Sequence, residues 1–249
     1  IGTGTQKVEE ELKQAFPQRE VLRMDTDTVS ATQTHEKLLA RFEREKIPIL
    51  IGTQMVAKGL DFENVTLVGV ISADLSLYAE DYRAGERTFS LLTQVVGRAG
   101  RGAKGGTALI QTFTPEHDVI RCAARQDYDA FYTQEIELRR LRGCPPFQDL
   151  FVLTASARSE AGALRACMRM RQALETWLRQ PPLEQLTLRI LGPAPASVVK
   201  VNDRYRYRLT LACGNTKQIR ALVAELLRCA QADKENRGVS VFADVNPLD

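Results

Sequence analysis

Two arginines near the middle of the chain have a spacing that suits phosphate binding. Arg98 and Arg101 lie three apart within residues 94–102, with a glycine before, between and after them. Residues three apart lie on one face of a helix, and glycines let a ligand approach closely. A guanidinium group stays charged, and its planar donors fit phosphate oxygens. Taken alone, however, the stretch is more typical of a basic helix end capped by glycine.

A second segment with polar groups directly follows an apolar run at residues 47–51. Gly52 and Thr53 place a backbone N–H and a hydroxyl at the end of this predicted strand, where a phosphate could bind. A few residues later, Gly59 permits a sharp turn that presents Asp61. By itself, this segment is equally typical of an ordinary junction between a strand and a helix.

The hydrophobic pattern of the first 145 residues indicates which elements hold these segments. Continuous apolar runs predict strands, and amphipathic stretches between them predict helices. The predicted strands cover residues 21–24, 47–51, 65–71 and 107–113, and one predicted helix covers residues 82–96. This alternation indicates βαβ units and hence a three-layer α/β domain around a parallel sheet, with functional loops at the carboxyl ends of the strands.

A proline pair, Pro145 and Pro146, predicts a domain boundary because prolines stop helices and stiffen turns. The two domains would be residues 1–145 and 146–249. Beyond the boundary the pattern restarts in the order βαββαβ, with a tight loop predicted at residues 193–196. That order predicts a smaller α+β sandwich in which helices cover one face of an antiparallel sheet.

The predicted strand at residues 204–211 alternates in polarity. Alternation places its three arginines on one face and its tyrosines and leucines on the other. A half-buried strand with solvated arginines accounts for this pattern. An arginine face with Lys200 just upstream also suits phosphate or an acidic peptide. The net charge of the chain is only +3, but the basic surplus lies in its C-terminal part.

The composition excludes several classes of protein. A chain of 249 residues with 44% hydrophobic and 26% charged residues is expected to be globular with a true core. Its five cysteines form no C-x-x-C pair, so neither a metal site nor a disulfide framework is expected. The absence of a signal peptide and of a membrane-length apolar run predicts a soluble, cytoplasmic protein without membrane contact. Because the sequence lacks an initiator methionine, we expect a fragment of a longer protein.

The two polar segments, taken together, resemble motifs V and VI of superfamily 2 helicases. The matching pattern is G-T-Q-M-x-x-K-G-x-D-F, then a strand, a helix and Q-x-x-G-R-x-G-R. Across the whole chain, G-x-G-T-x-K-V-E-E-E-L, L-R-G-C-P-P-F, L-G-P-A-P-A, R-Y-R-Y-R and D-V-N-P are similar to the primosomal protein N′ family of replication-restart helicases. The resemblance implies a second RecA-like lobe of a motor that hydrolyses ATP with Mg²⁺. Such a motor moves along single-stranded DNA in the 3′-to-5′ direction and unwinds duplex DNA.

The resemblance also implies roles for single residues. Arg98 and Arg101 match the pair that reaches the γ-phosphate, with Arg101 as the arginine finger. Gln94 matches the residue that helps couple the ATP site to DNA. Asp61 matches a ribose contact, and Gly59 and Gly97 are the other candidate nucleotide-binding residues. The residues matched to contacts with the DNA backbone are Gly52, Thr53 and Lys58.

Several elements of the family are missing from this sequence. There is no G-x-x-x-x-G-K-[ST], no D-E-x-H and no paired C-x-x-C element. The first two belong to the first helicase lobe, and the cysteines to a zinc-binding region that precedes this part of the family. We therefore expect zinc in the full-length protein but not here. This chain alone should not hydrolyse ATP.

For the C-terminal domain, the resemblance implies binding to branched DNA and to the acidic tail of single-stranded DNA-binding protein. Arg204, Arg208 and Lys200 are the candidate contacts to that tail. Forked and single-stranded DNA and other primosome proteins are the expected partners of a monomer at abandoned replication forks. Two alternatives stay open: another superfamily 2 translocase, or, for the isolated chain, a binding module without catalysis.

Overall fold

The computed structural model describes residues 4–25, 35–53, 65–97 and 106–247 of the chain. The chain divides into two compact units, Ile1–Glu135 and Ile136–Asp249. This division lies within a long helix that precedes the proline pair. The exact boundary between residues 145 and 146 stays a prediction.

The first unit alternates helices with short strands, as its sequence predicts. Its first elements are α1 (Thr5–Ala15), β1 (Val21–Met24), α2 (His35–Arg44) and β2 (Ile49–Gly52). The two strands pair in parallel, with Val21 opposite Ile49. Leu22 and Met24 of β1 pack against Leu38 of α2, because the apolar face of an amphipathic helix is removed from water against a sheet.

A second parallel pair completes the described part of this unit. The remaining elements are β3 (Leu67–Val70), α3 (Asp74–Leu77), α4 (Ala84–Val96), β4 (Thr107–Ile110), α5 (Asp118–Arg125) and α6 (Tyr128–Arg142). β3 and β4 pair in parallel, and α4 packs against both strands and against α5. The ring of Phe89 in α4 stacks on that of Phe131 in α6, with centroids 4.1 Å apart. Parallel strands connected through helices confirm the predicted α/β class.

The second unit has the predicted order βαββαβ. Its elements are β5 (Asp149–Ala157), α7 (Glu160–Trp177), β6 (Leu188–Val201), β7 (Arg204–Cys213), α8 (Lys217–Ala232) and β8 (Ser240–Val245). The four strands lie in the order β6-β7-β5-β8, and all neighbours are antiparallel. This is the split βαβ arrangement, in which both helices pack on the same face of the sheet.

A dense apolar core holds those helices in place. Leu153 and Leu209 of the sheet and Leu174 of α7 are fully buried within it. Each helix begins with a side-chain cap: Ser159 Oγ accepts from the N–H of Gly162, and Thr216 Oγ1 accepts from the N–H of Ile219. Both helices therefore occupy one face of the sheet, and the opposite face carries a mixture of polar, charged and apolar side chains.

The tight loop predicted at residues 193–196 is wrong. These residues belong to β6, which runs from Leu188 to Val201 and pairs with β7. The pairing register shifts between Leu191 and Ala194 and again between Pro195 and Lys200. β6 is an edge strand, where prolines are tolerated because one side needs no backbone donors.

Leu209→Ala is expected to lower the free energy of unfolding of the second unit by about 2–5 kcal/mol, because it leaves a cavity in the core. Trp177 is the only tryptophan and packs against the same core, so its fluorescence during urea denaturation reports the change. Leu191→Ala is the matched control, at a position that is 43% exposed, and should cost far less. An equal loss in both variants would contradict this description of the core.

Candidate nucleotide and nucleic-acid interfaces

The C-terminal end of α4 brings Gln94 to the surface. Leu92 and Val95 are buried in the unit, and Gln94 between them is exposed. Its Nε2 lies 3.4 Å from Ser90 Oγ in the preceding turn, which is a long contact. A side-chain amide can both donate and accept hydrogen bonds. Gln94 is therefore accessible to a ligand, as its predicted role requires.

Gly97 ends α4 next to the side chain of Gln126. Its N–H donates to the carbonyl of Thr93 at 2.9 Å. A Cβ added to Gly97 would lie 3.1 Å from Gln126 Nε2 and 3.2 Å from the Thr93 oxygen, closer than ordinary van der Waals contact. A larger residue at position 97 would therefore need its neighbours, among them the Gln126 side chain, to shift by a few tenths of an ångström. The predicted phosphate contacts Arg98 and Arg101 lie outside the described residues.

The carboxyl ends of β1 and β2 carry the described part of the predicted DNA contact. Gly52 and Thr53 follow one another at the end of β2, and both are exposed. At the same edge, Asp25 after β1 is buried, and its carboxylate accepts from Thr5 Oγ1 at 2.5 Å and lies 3.3 Å from Arg23 Nη1. Arg23 therefore offsets the negative charge of Asp25 next to the proposed phosphate contact at Gly52 and Thr53. Three further predicted residues lie outside the described part of the chain: Lys58, Gly59 and Asp61.

A carboxylate that the sequence analysis did not single out links the carboxyl ends of β3 and β4. Asp74 accepts from Thr112 Oγ1 at 2.9 Å and from the N–H of Phe113 at 3.1 Å. Burial alone would raise the pKa of Asp74, but these hydrogen bonds outweigh burial and hold the pKa below its ordinary value. Phe113 itself is left 91% exposed. An acid placed shortly after a predicted parallel strand is the signal that could have found this residue.

In the second unit, β7 places arginines on the face of the sheet that α7 and α8 do not cover. Tyr207 belongs to the core on the helix side. Arg206 and Arg208 instead line a shallow cleft of about 560 Å³ on the opposite face. The predicted alternation of this strand is thus confirmed. Phe242 and Asp244 of β8 also line the cleft, which combines apolar, acidic and basic groups.

All three predicted tail contacts have partners within the chain. Arg204 donates to the carbonyl of Ser156 at 2.5 Å and to that of Gly238 at 3.2 Å. Lys200 forms an ion pair with Asp203 at 2.9 Å. These contacts position Arg204 as a link between β7 and its neighbours in the sheet. A ligand would have to compete with them.

The third predicted contact, Arg208, shares the cleft with Arg206, which was not among the predicted contacts. Arg208 Nη1 lies 3.5 Å from Ser197 Oγ. The Nε of Arg206 is buried and has no hydrogen-bond acceptor within the described ranges. The same alternation that selected its neighbours could have found Arg206, since it lies between them in sequence. Arg204 and Lys200 do not line this cleft, so the structure does not bring the three predicted residues together in one pocket.

Two buried cysteines of the second unit, Cys167 and Cys213, are unsuited to redox chemistry. Burial raises the pKa of Cys167 to about 11 and that of Cys213 to about 11, so both thiols stay protonated at neutral pH. Within the part of the chain that the structure describes, no three His, Cys, Asp or Glu side chains are grouped so as to hold a metal ion. None of the helices in the described ranges is long and apolar enough to cross a membrane.

Two family models match the chain. The model described as "Helicase conserved C-terminal domain" matches residues 3–103, and the one described as "Primosomal protein N C-terminal domain" matches residues 140–248. The first range contains both predicted phosphate-binding segments. The second contains all the strands and helices of the βαββαβ arrangement.

Proteins named "Replication restart protein PriA" are similar to most or all of the chain. The Bacillus subtilis protein is 43% identical over 247 residues, which cover 99% of this chain and 30% of that protein. The Synechocystis protein is 43% identical over 84% of this chain and 24% of its own length. The Haemophilus influenzae protein is 36% identical over 100% of this chain and 33% of its own length. The chain thus spans a third or less of the curated relatives compared.

Thr112→Val is expected to raise the pKa of Asp74, because it removes a hydroxyl that donates to the ionised carboxylate. Thr114→Val is the matched control, since Thr114 Oγ1 lies 3.5 Å from the same carboxylate, and it should raise the pKa less. Titration of the carboxyl carbon by NMR measures both shifts, and a larger shift for the Thr114 variant would contradict the assignment.

The lowered pKa of Asp74 makes the stability of the first unit depend on pH. Because the pKa of Asp74 is lowered in the folded state, its ionised form stabilises the first unit above the unfolded pKa of about 3.9. This stabilisation is lost as the pH falls through the folded pKa. Thr112→Val should therefore make the stability of this unit less dependent on pH in the acid range.

Proposed function

Because the chain belongs to the PriA family of replication restart proteins, we propose that it is the C-terminal part of an ATP-dependent DNA helicase. The whole protein would move along single-stranded DNA in the 3′-to-5′ direction, unwind stalled or abandoned replication forks and start primosome assembly there. The observation that carries this proposal is the match of the helicase C-terminal domain over residues 3–103. The exposure of Thr53 and Gln94 within that range supports it.

The first unit would complete an ATP site whose other wall lies in a helicase lobe outside this chain. Arg98 and Arg101 would reach the γ-phosphate from this side, with Arg101 as the arginine finger. Negative charge on the transferring phosphoryl group is redistributed in the transition state, and a fixed guanidinium there stabilises the transition state more than the ground state. Asp61 would contact the ribose, with Gly59 and Gly97 leaving room for the nucleotide.

The same unit would grip the DNA backbone. Thr53 offers a hydroxyl, Gly52 a backbone without a side chain, and Lys58 an ammonium group; such contacts to phosphate carry no sequence information. Gln94 would couple these contacts to the arginine pair. Because one compact unit carries both sets of residues, closing the ATP site would move the DNA contacts with it.

Metal ions are proposed for the whole protein. Mg²⁺, when bound with ATP, neutralises charge on the β- and γ-phosphates, and the missing first lobe would hold most of it. The described residues of this chain suit contacts to phosphate and offer no group of three metal-ligating side chains. Zinc would bind outside this chain, whose five cysteines lack the C-x-x-C spacing.

Arg101→Ala in the whole protein is expected to lower DNA-stimulated ATP hydrolysis by about 10³-fold or more. ATP binding should change little, because the first lobe holds most of the nucleotide. Steady-state hydrolysis and nucleotide titration measure the two effects. Arg19→Ala, at an exposed loop position of the same unit, is the control and should be active.

Near-normal turnover in the Arg101 variant would show that this residue is not the finger. The isolated chain should stay at background in the same assay, and measurable turnover there would refute the division of the ATP site.

We also propose that the second unit binds DNA and the acidic C-terminal tail of single-stranded DNA-binding protein. Arg208, Arg204 and Lys200 would contact the tail, and the cleft that Arg208 shares with Arg206 supports this. Positive charge in a concave surface attracts acidic groups and speeds their association. Other primosome proteins would be partners of the whole protein, which we expect to act as a monomer.

Arg208→Glu is expected to weaken binding of a labelled acidic tail peptide by about tenfold or more, since it replaces attraction by repulsion. Fluorescence titration of the chain measures the affinity. Arg228→Glu is the matched control, because Arg228 lies on α8 and its side chain is 69% exposed. Arg204 is not reversed, since its hydrogen bonds to Ser156 and Gly238 hold the sheet. Equal affinities for the two variants would refute the cleft as the tail site.

A further inference from the structure

The face of the second unit's sheet that the helices leave uncovered carries three kinds of side chain in a fixed order. Phe242 of β8 and Arg208 of β7 both lie opposite Thr154 of β5, one on either side of it. Residues directly opposite each other in an antiparallel pair share a face of the sheet. From β8 to β7, the order is therefore an aromatic ring, a small hydroxyl residue and a guanidinium group. All three residues line the cleft of about 560 Å³.

Arg206 and Asp244 add opposite charges to the two walls of this cleft. The Nε of Arg206 is buried and has no hydrogen-bond acceptor within the described ranges. Asp244 follows Phe242 by two residues and lies opposite Val152, so it projects from the same face. Asp244 is exposed, and its carboxylate makes no ion pair or side-chain hydrogen bond in the part of the chain that the structure describes. The cleft thus offers an anion site on one wall and a hydrogen-bond acceptor on the other.

Phe242 gives the cleft a surface for stacking. The residue is 43% exposed, and none of the other described rings contacts it. Nucleobases stack on such rings, and the contact tolerates every base because every base has a π-face. The acceptor beside the ring distinguishes bases by their edges. An aspartate accepts a hydrogen bond from the N4 amine of cytosine, whereas thymine has the O4 acceptor at that position.

A nucleotide has its parts in the same order as the cleft. A base on Phe242 would leave the sugar over Thr154 and the phosphate beside the arginines of β7. The volume of about 560 Å³ lies within the range of about 300–1,000 Å³ that is usual for small-ligand sites. The free face of a four-stranded sheet is also a recurrent surface for single-stranded nucleic acid, whose bases stack on aromatic side chains there.

We propose that this cleft binds one nucleotide of single-stranded DNA and prefers a base with an exocyclic amine. The base stacks on Phe242, its amine donates to Asp244, and its phosphate pairs with Arg206. This inference rests on the proposed DNA binding by the second unit and adds a base preference to it. Phosphate contacts alone carry no sequence information, so a preference between bases distinguishes this site from a basic surface.

Oligo-dC and oligo-dT of equal length test the contact with the base, because cytosine has an amine where thymine has a carbonyl oxygen. Fluorescence anisotropy of the labelled oligonucleotides, at one salt concentration, measures their affinity for the chain. The parent chain should bind oligo-dC about fivefold or more tightly than oligo-dT. Contacts of the first unit to the DNA backbone are common to both oligonucleotides and cancel in this ratio.

Asp244→Asn should remove the preference without changing the melting temperature, since an amide can donate to thymine as well as accept from cytosine. Phe242→Leu should weaken the binding of both oligonucleotides about fivefold or more, because it keeps an apolar side chain but removes the ring. Glu235→Gln is the matched control for the charge change. Glu235 is an exposed residue of the same unit that does not line the cleft, and its variant should keep the preference.

Equal affinity of the parent chain for the two oligonucleotides would overturn the inference. So would a preference that survives in the Asp244 variant, or unchanged binding of oligo-dC by the Phe242 variant. Failure of the proposed DNA binding gives a different result, since the chain would then bind neither oligonucleotide.

Unlabelled tail peptide separates this site from the proposed tail site. Because Arg208 is the proposed tail contact within the cleft, saturating peptide should abolish the preference for oligo-dC. A preference that persists in the presence of bound peptide rejects the placement of the tail in the cleft and leaves the nucleotide site standing.

Discussion

Burial of the apolar side of α4 is the constraint on which the functional groups of the first unit depend. Leu92 is fully buried, and Phe89 stacks on Phe131 across the same core. Together they fix the rotation of the helix about its axis. Because successive residues of a helix are turned by about 100°, a helix that buries Leu92 and Val95 must expose Gln94. The apolar residues, which take no part in chemistry, thus decide where the polar ones lie.

In the second unit, burial of apolar side chains likewise determines where the polar groups lie, here on the two faces of a sheet. Alternation along β7 sends Tyr207 and Leu209 into the helix-covered core and Arg206 and Arg208 to the other face. The core supplies stability, and the opposite face carries the arginines that line the cleft. Arg204 is an exception to this division between a core face and a basic face. It lies on the basic side of the pattern, yet its guanidinium is used to join neighbouring strands.

The proposed chemistry explains why the phosphate-contacting arginines and the nucleotide pocket would belong to different lobes. An arginine that reaches the γ-phosphate only when two lobes close makes hydrolysis depend on that closure. Closure would in turn displace the DNA backbone that the same lobe is proposed to hold. Such coupling requires that the orientation of the arginine pair is fixed relative to its own lobe.

The sequence by itself determined the class of both units, the order of their elements and the polarity of β7. It could do so because these features depend on local periodicity: apolar runs for parallel strands, alternation for a half-exposed strand, and prolines and glycines for ends. The helicase resemblance, likewise, was readable because its two motifs are short and contiguous. The residues of both motifs and their spacing can therefore be read directly from the sequence.

Only the tertiary structure decided which side chains meet. Gln126 is 33 residues from Thr93, Thr112 is 38 from Asp74, and Arg204 is 48 from Ser156, and no local pattern records such pairs. The same limit explains the wrong loop at residues 193–196, where pairing with β7 overrode the local preference of the prolines. Periodicity specifies which face of an element is buried. The partners of the exposed groups follow only when packing brings distant elements together.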